Sequence, residues 1–215
     1  MSNDWIDISI PVRPGMAIWP GNPGVQLERS QCLHDGDVCN VSRLELGTHT
    51  GTHVDGINHF IKGGRGIDAA PLETFIGPAR VVEVSSTKEI RLRDFDQSVI
   101  KSGQRILFKT ANSRRELHRR PFQEDFVCLS KEVAAWLAEM KVPCVGVDYL
   151  SVGGFEGNVV EVHHILLGHG IFAVEGLVLT GIDPGWYDFI CLPIRLVDGD
   201  AGLARAVIRK REAVS

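Results

Sequence analysis

The 215-residue chain has little of what would mark a protein of nucleic acids, membranes or the cell exterior. Basic residues are not in excess: 23 lysines and arginines stand against 27 aspartates and glutamates, a formal net charge of −4. Phosphate-binding surfaces show the opposite balance. The one dense basic run, Arg114-Arg115 with Arg119-Arg120, is broken by Glu116 and Leu117 and reads as a solvated loop. No apolar run approaches the ~20 residues that span a bilayer. The first residues, Met1-Ser-Asn-Asp-Trp-Ile-Asp, have neither the basic start nor the apolar core of a secretory signal. The five cysteines (Cys32, Cys39, Cys128, Cys144, Cys191) are odd in number, scattered and without a C-x-x-C pair, which predicts reduced thiols in a cytoplasmic protein. The glycine-rich stretch from Ser151 to Asn158 has no phosphate-loop pattern, so no nucleotide is expected there. With 44% hydrophobic and 23% charged residues, and no repeat or linker, residues 1–215 read as one soluble domain able to bury a substantial core.

Against that ordinary background one stretch stands out: His49-Thr-Gly-Thr-His53-Val-Asp55-Gly-Ile-Asn-His59-Phe60. Three of the chain's eight histidines and an aspartate fall close together there, the donor types that bind borderline metal ions. Positions 49, 53, 55 and 59 are all odd, so an extended segment would project all four side chains to one face. A helix would turn Asp55 about 200° away from His53. Thr50, Thr52 and Val54 are β-branched, and Gly51 and Gly56 interrupt a helix, so extended or looped structure is expected. Gly51 would leave space for a metal or substrate between the two histidines. Four such groups on one face would repel or compete for protons unless a cation lay among them. The spacing is not the His-Glu-x-x-His of helical zinc proteases.

Elsewhere, strands are expected over residues 5–10, 25–33, 41–46, 79–84, 105–110, 143–149, 171–179, 185–196 and 204–209, and a flexible turn over 62–67. Residues 69–76 should form a short helical turn and 91–100 a short helix. A loop should run from Thr110 to Phe126. Ser130 is an N-cap for a helix over 131–141. Trp19, held extended before Pro20, suits either the core or a pocket wall. Glu175 lies among Phe172, Val174, Leu177 and Leu179, where a carboxylate needs a partner, either a metal or a buried arginine. His163 and His164 precede it.

With these residues in view, the chain resembles the cyclase-like metal-dependent hydrolases, the family of bacterial kynurenine formamidase. That family's signature is His-Thr-Gly-[Thr/Ala]-His-x-Asp-x-Pro-x-His, and the resemblance runs from Trp-x-Asp-Ile-Ser near the start to Leu-Pro-[Ile/Leu]-[Arg/Lys] near the end. The resemblance implies a single α/β domain with a mixed sheet, of the swivelling β/β/α type, assembled as a homodimer or homotetramer. It implies His49, His53, Asp55, His163 and Glu175 as ligands of one or two ions, zinc or alternatively manganese. The choice of His163 over His164 comes from the family's spacing to Glu175. His59 would be the acid/base and Trp19 the substrate contact. The expected reaction is hydrolysis of a small aromatic amide, N-formylkynurenine to kynurenine and formate. Two departures, Ile57-Asn58 in place of the family's Pro-x and Asp148-Tyr-Leu-Ser in place of Asp-Thr-Pro-Ser, leave the substrate open, and the altered 56–58 segment motivates an alternative, ring opening of a cyclic amide as in isatin hydrolase or cleavage of another small amide or ester. A non-catalytic metal-binding protein is the remaining alternative.

Overall fold

A computed structural model describes residues 4–211. Met1–Asn3, part of the stretch read for a leader, and residues 212–215 lie outside the described residues. The chain forms, in order, β1 (Ile6–Asp7), β2 (Gln26–Gln31), β3 (Val41–Glu45), β4 (His53–Asp55), β5 (Ile76–Glu83), β6 (Glu89–Ile90), β7 (Arg105–Lys109), α1 (Ala111–Arg114), β8 (Cys128–Leu129), α2 (Lys131–Glu139), β9 (Cys144–Val147), α3 (Val159–Gly168), β10 (Phe172–Glu175), β11 (Gly185–Pro193) and β12 (Ala201–Lys210), with short 3₁₀ turns between them. None of the helices among the described residues is long and apolar enough to cross a membrane.

Eight strands make one mixed sheet in the order β1-β12-β11-β5-β7-β9-β10-β4, and β4 also pairs with β12, closing the sheet on itself. The run β5, β7, β9, β10 is parallel. The remaining pairings are antiparallel. Closure works because β12 is long enough to serve two partners on one edge: Ala201–Leu203 pair with β4, and Val207 and Ile208 with β1. The result is the α/β domain with a mixed sheet that the family resemblance implies.

Alternation along each strand divides the core. Val54, Val81, Leu107, Val174 and Phe189 fill the barrel interior. Ile106, Phe108, Val145, Val147 and Ala173 point outward and are covered by Val133 and Leu137 of α2 and Val162 and Leu166 of α3. Helix α2 starts where Ser130 predicts it, with Ser130 Oγ accepting from Val133 N at 3.1 Å. Position 146 is glycine for want of room, since a Cβ there would lie 2.6 Å from the side chains of Leu107 and Leu177.

Several local expectations differ. Residues 91–100 are two 3₁₀ turns, Leu92–Asp94 and Gln97–Val99, with Phe95 extended between them. Phe95 packs on Phe108 and Trp136, and a continuous helix would carry it away from both. The loop from Thr110 is not bare: Thr110 caps α1 through its hydroxyl, and a second turn follows at Leu117–Arg119. The first strand is short: only Ile6 and Asp7 pair regularly with β12, Ile8 N still donates to the Ala206 carbonyl at 2.9 Å, and Ser9 bridges to Leu177. The glycine-rich turn at 62–67 is tied at both sides by backbone bonds, Asn58 N to Arg65 O at 3.2 Å and Ile67 N to Gly199 O at 2.9 Å.

Candidate metal centre

The signature stretch straddles the end of β4, the strand on which the barrel closes. His53 and Asp55 project to the outer face while Val54 between them enters the core. Parity is therefore the right reason for these two. Glu175 lies directly across from His53 in the antiparallel register of β10 and β4, so it emerges on the same face. Helix α3 covers that face and brings His163 in from above, buried, with His164 one position on and exposed. Helical phase thus turns His163 toward the cluster and His164 toward solvent.

His49 and His59 reach the cluster for other reasons. His49 sits in the turn before β4, and Gly51 in that turn has φ +65. His59 ends a 3₁₀ turn, Ile57–His59, opened by extended Gly56. A Cβ at Gly51 would contact Met16 and Val12 at 3.4 Å, so this glycine permits the turn and its packing on the N-terminal segment; it does not open space between the histidines. Gly176, immediately after Glu175, also has a left-handed φ, +72, and a Cβ there would overlap the carbonyl of Gly51. Gly176→Ala should accordingly cost about 3 kcal/mol or more, measured by denaturant unfolding of the metal-free protein. A cost under about 1 kcal/mol would show that the 51–52 and 176 segments separate easily.

The donor atoms converge closely. His49 Nδ1 lies 3.0 Å and His53 Nε2 3.5 Å from Asp55 Oδ1, and His163 Nε2 lies 3.5 Å from Asp55 Oδ2. Glu175 spans the other side, with Oε2 3.3 Å from His53 Nε2 and Oε1 3.3 Å from His163 Nε2. Val152 N also donates to Glu175 Oε1 at 2.7 Å. The partners of Glu175 are therefore two histidines and an amide, not an arginine.

The protonation pattern makes the case for a cation. His53 Nδ1 is 3.0 Å from the Gly51 carbonyl, and His163 Nδ1 is 2.6 Å from the Val159 carbonyl. A carbonyl can only accept, so each Nδ1 carries the hydrogen and each neutral ring turns a bare Nε2 lone pair toward the carboxylates. Acceptors then face acceptors. Both Asp55 oxygens and the Nε2 atoms of His49 and His53 are buried without a hydrogen-bond partner among the described residues. Without a metal, protons must fill the gap: burial alone would push His53 and His163 down, but Asp55 and Glu175 outweigh it and raise both to about 10. Burial likewise opposes ionisation of the carboxylates, yet the imidazoles hold Asp55 well below its usual range and Glu175 below its own. A divalent cation satisfies the same five side chains without the borrowed protons. Imidazole nitrogen with carboxylate oxygen suits zinc and is compatible with manganese.

Beside the cluster opens a cavity of about 330 Å³, walled by Trp19, His59, Phe60, Leu150, Ser151 and Asp200 among others. Trp19 is braced edge-on by Phe122, Phe126 and Phe155, with ring centroids 5.2–6.2 Å away, so its indole is a fixed wall. Phe60 lies flat on His163, 4.3 Å between centroids, and holds that ring's plane. His59 is only partly buried, but burial pushes its imidazole down to about 4, leaving it neutral near pH 7. Its ring is 4.0 Å from that of His49.

Three wall residues were not legible as such. Phe60 stands only as the last residue of the histidine stretch, Ser151 lies in the glycine-rich stretch, and Asp200 closes an Asp-Gly-Asp sequence far along the chain. The two departures from the family signature also separate here. Ile57 faces the barrel core and misses the cavity, whereas the segment from Asp148 supplies Leu150 and Ser151 to its wall. Asp148 itself is buried, receiving Thr110 N, Thr110 Oγ1 and Ser113 N at 2.7–3.1 Å, and anchors that segment.

Residues 6–153 match the Cyclase family, described as "Putative cyclase". The chain is 39% identical over 206 residues to a kynurenine formamidase of Salinibacter ruber, covering 95% of this chain and 96% of that protein. A solved structure described as a "Potential Metal-Dependent Hydrolase With Cyclase Activity" superposes with a TM-score of 0.83 at 29% identity, covering 97% of this chain and 98% of its own. Isatin hydrolase A from Labrenzia aggregata has a TM-score of 0.80 at 19% identity, over 97% of this chain and 94% of its own, a likeness of fold alone.

Proposed function

The chain belongs to the cyclase family of metal-dependent hydrolases, and from that premise we propose that it hydrolyses the formamide of N-formylkynurenine, releasing kynurenine and formate. The observation that carries the metal-dependent chemistry is the set of mutually facing lone pairs on His53, His163, Asp55 and Glu175 beside an aromatic-walled cavity. His49, His53, Asp55, His163 and Glu175 would hold zinc, or manganese in its place, as one or two ions. When bound, the metal supplies Lewis acidity, drawing a water's pKa from about 15.7 towards ~7 and polarising the amide oxygen.

The chain's own residues do the rest. His59 enters the cycle neutral, with burial keeping its pKa near 4, so it first takes a proton from the attacking water and then delivers it to the departing nitrogen. One C–O bond forms, the C–N bond breaks, and the proton moves from oxygen to nitrogen. Trp19 and Phe60 give the substrate's aryl ring two apolar faces and keep bulk water from the amide. Glu175, fixed by Val152 N, keeps its carboxylate turned into the cluster.

Protein stripped of metal and reconstituted with zinc or manganese tests this directly. Metal-dependent release of kynurenine from N-formyl-L-kynurenine is expected, with none from the stripped protein. Opening of isatin without turnover of N-formyl-L-kynurenine would transfer the reaction to cyclic amides; the wall segment at Leu150 and Ser151 is where such a difference would be written.

A further inference from the structure

Each imidazole of the cluster has two nitrogens to satisfy, and the structure disposes of them in a repeated way. His53 turns Nε2 to the carboxylates and gives Nδ1 to the Gly51 carbonyl. His163 does the same with the Val159 carbonyl. His49 is reversed: Nδ1 faces Asp55 Oδ1 at 3.0 Å, and Nε2 faces Asp200 Oδ2 at 3.4 Å. That Nε2 is buried and has no hydrogen-bond partner among the described residues, so the Asp200 carboxylate is the acceptor within reach.

Asp200 is itself held by residues on either side of the His49–Asp55 segment. Thr48 Oγ1, on the residue before His49, donates to Asp200 Oδ1 at 2.8 Å. Gly56 N, on the residue after Asp55, donates to the Asp200 carbonyl at 2.7 Å. Ala201, next in the chain, pairs with Asp55 in the β12–β4 register, and Ala201 N donates to Asp200 Oδ1 at 3.1 Å. With Oδ1 committed, Oδ2 is left toward His49.

We propose that Asp200 is the positioning carboxylate of His49: it takes the Nε2 hydrogen, fixes the tautomer with a free Nδ1 lone pair, and aims that lone pair at the shared site beside Asp55. A carboxylate acceptor also holds the imidazole more strongly than a carbonyl would, as in the carboxylate–histidine pairs that support metal ligands. The role rests on the metal site proposed above. Asp200 touches no reacting atom in it.

Zinc affinity, measured by competition with a chromophoric chelator, tests the role without reference to turnover. Asp200→Ala should weaken zinc about 10- to 100-fold. Asp200→Asn, which keeps an oxygen acceptor but not the charge, should weaken it less. In a His49→Ala background, Asp200→Ala should add no further loss, because its effect passes through His49. Thr48→Val removes the tie to Oδ1 while leaving the carboxylate, and should fall short of Asp200→Ala. Equal affinity of Asp200→Ala and wild type overturns the proposal, as does a full additional loss in the His49→Ala background. Failure of wild type itself to bind zinc or manganese would instead overturn the metal site.

Discussion

Asp55→Asn is expected to release the metal and lower turnover by about 10³-fold or more, while leaving the fold intact. Each Asp55 oxygen approaches imidazole nitrogens, Oδ1 those of His49 and His53 and Oδ2 that of His163, so no other side chain touches as many of the proposed ligands. Asparagine has nearly the same shape but replaces one oxygen with an amide nitrogen that donates hydrogen. In the metal-free protein that nitrogen can satisfy an imidazole lone pair, which supports folding. For a dication the exchange removes a negative charge and a ligand atom together.

A pH signature should accompany the loss. In metal-free wild type, His53 and His163 bind protons up to about pH 10 when folded and only to about 6.5 when unfolded. Their contribution to stability is therefore complete below pH 6.5 and disappears as pH rises toward 10. Asp55 and Glu175, held below their ordinary ranges, contribute in the opposite direction, losing their share as the solution is acidified. Metal-free wild type should thus lose stability between pH 6.5 and 10, and Asp55→Asn should lose less across the same window, since one of the two carboxylates raising the histidines is gone. Thermal melts across pH, with metal content by emission spectroscopy, check both parts. Wild-type metal stoichiometry in Asp55→Asn with turnover within tenfold would remove Asp55 from the centre.

How far the sequence reached depended on the distance over which each fact is encoded. The His53-Val-Asp55 alternation is local, and the strand it predicts is present with Val54 in the core. The need of Glu175 for a partner was also legible, since a carboxylate in an apolar strand requires one anywhere. What could not be read is who meets whom. Glu175 faces His53 because of an antiparallel register, and β4 faces β12 because the sheet closes, and both pairings join segments more than a hundred residues apart. Asp200 was invisible for that reason, a turn residue until the closure sets it against Thr48 and His49. Parity over-reached in treating all four residues from 49 to 59 as one strand. The extended run is bounded by the left-handed Gly51 and by the 3₁₀ turn that begins at Ile57, and His49 and His59 return to the same face through a turn on either side.

Replacing His59 by alanine (His59→Ala) should leave metal bound and lower kcat by about 10²- to 10⁴-fold, the usual worth of a positioned acid/base. The competing role is real chemistry: His49, Asp55 and His59 offer donor atoms all within 4.8 Å of one another, so His59 has the reach of a ligand. Three features favour the proton carrier. His59 stands on a 3₁₀ turn after the strand, its ring borders the substrate cavity, and it lies against His49 without a carboxylate contact of the kind His53 and His163 make. Burial lowers its pKa to about 4, and a cation bound nearby would lower it further, so the neutral base persists well below the 6.5 of a free histidine. This group should consequently add no inflection near pH 6.5 to the wild-type rate, whose acid limb would follow the metal-activated water drawn towards ~7. His59→Ala should respond to added imidazole, which can occupy the space of the missing ring and restore proton transfer without restoring any ligand. If metal content falls in step with turnover and imidazole does nothing, His59 is a ligand, and the proton must travel through another group on the cavity wall.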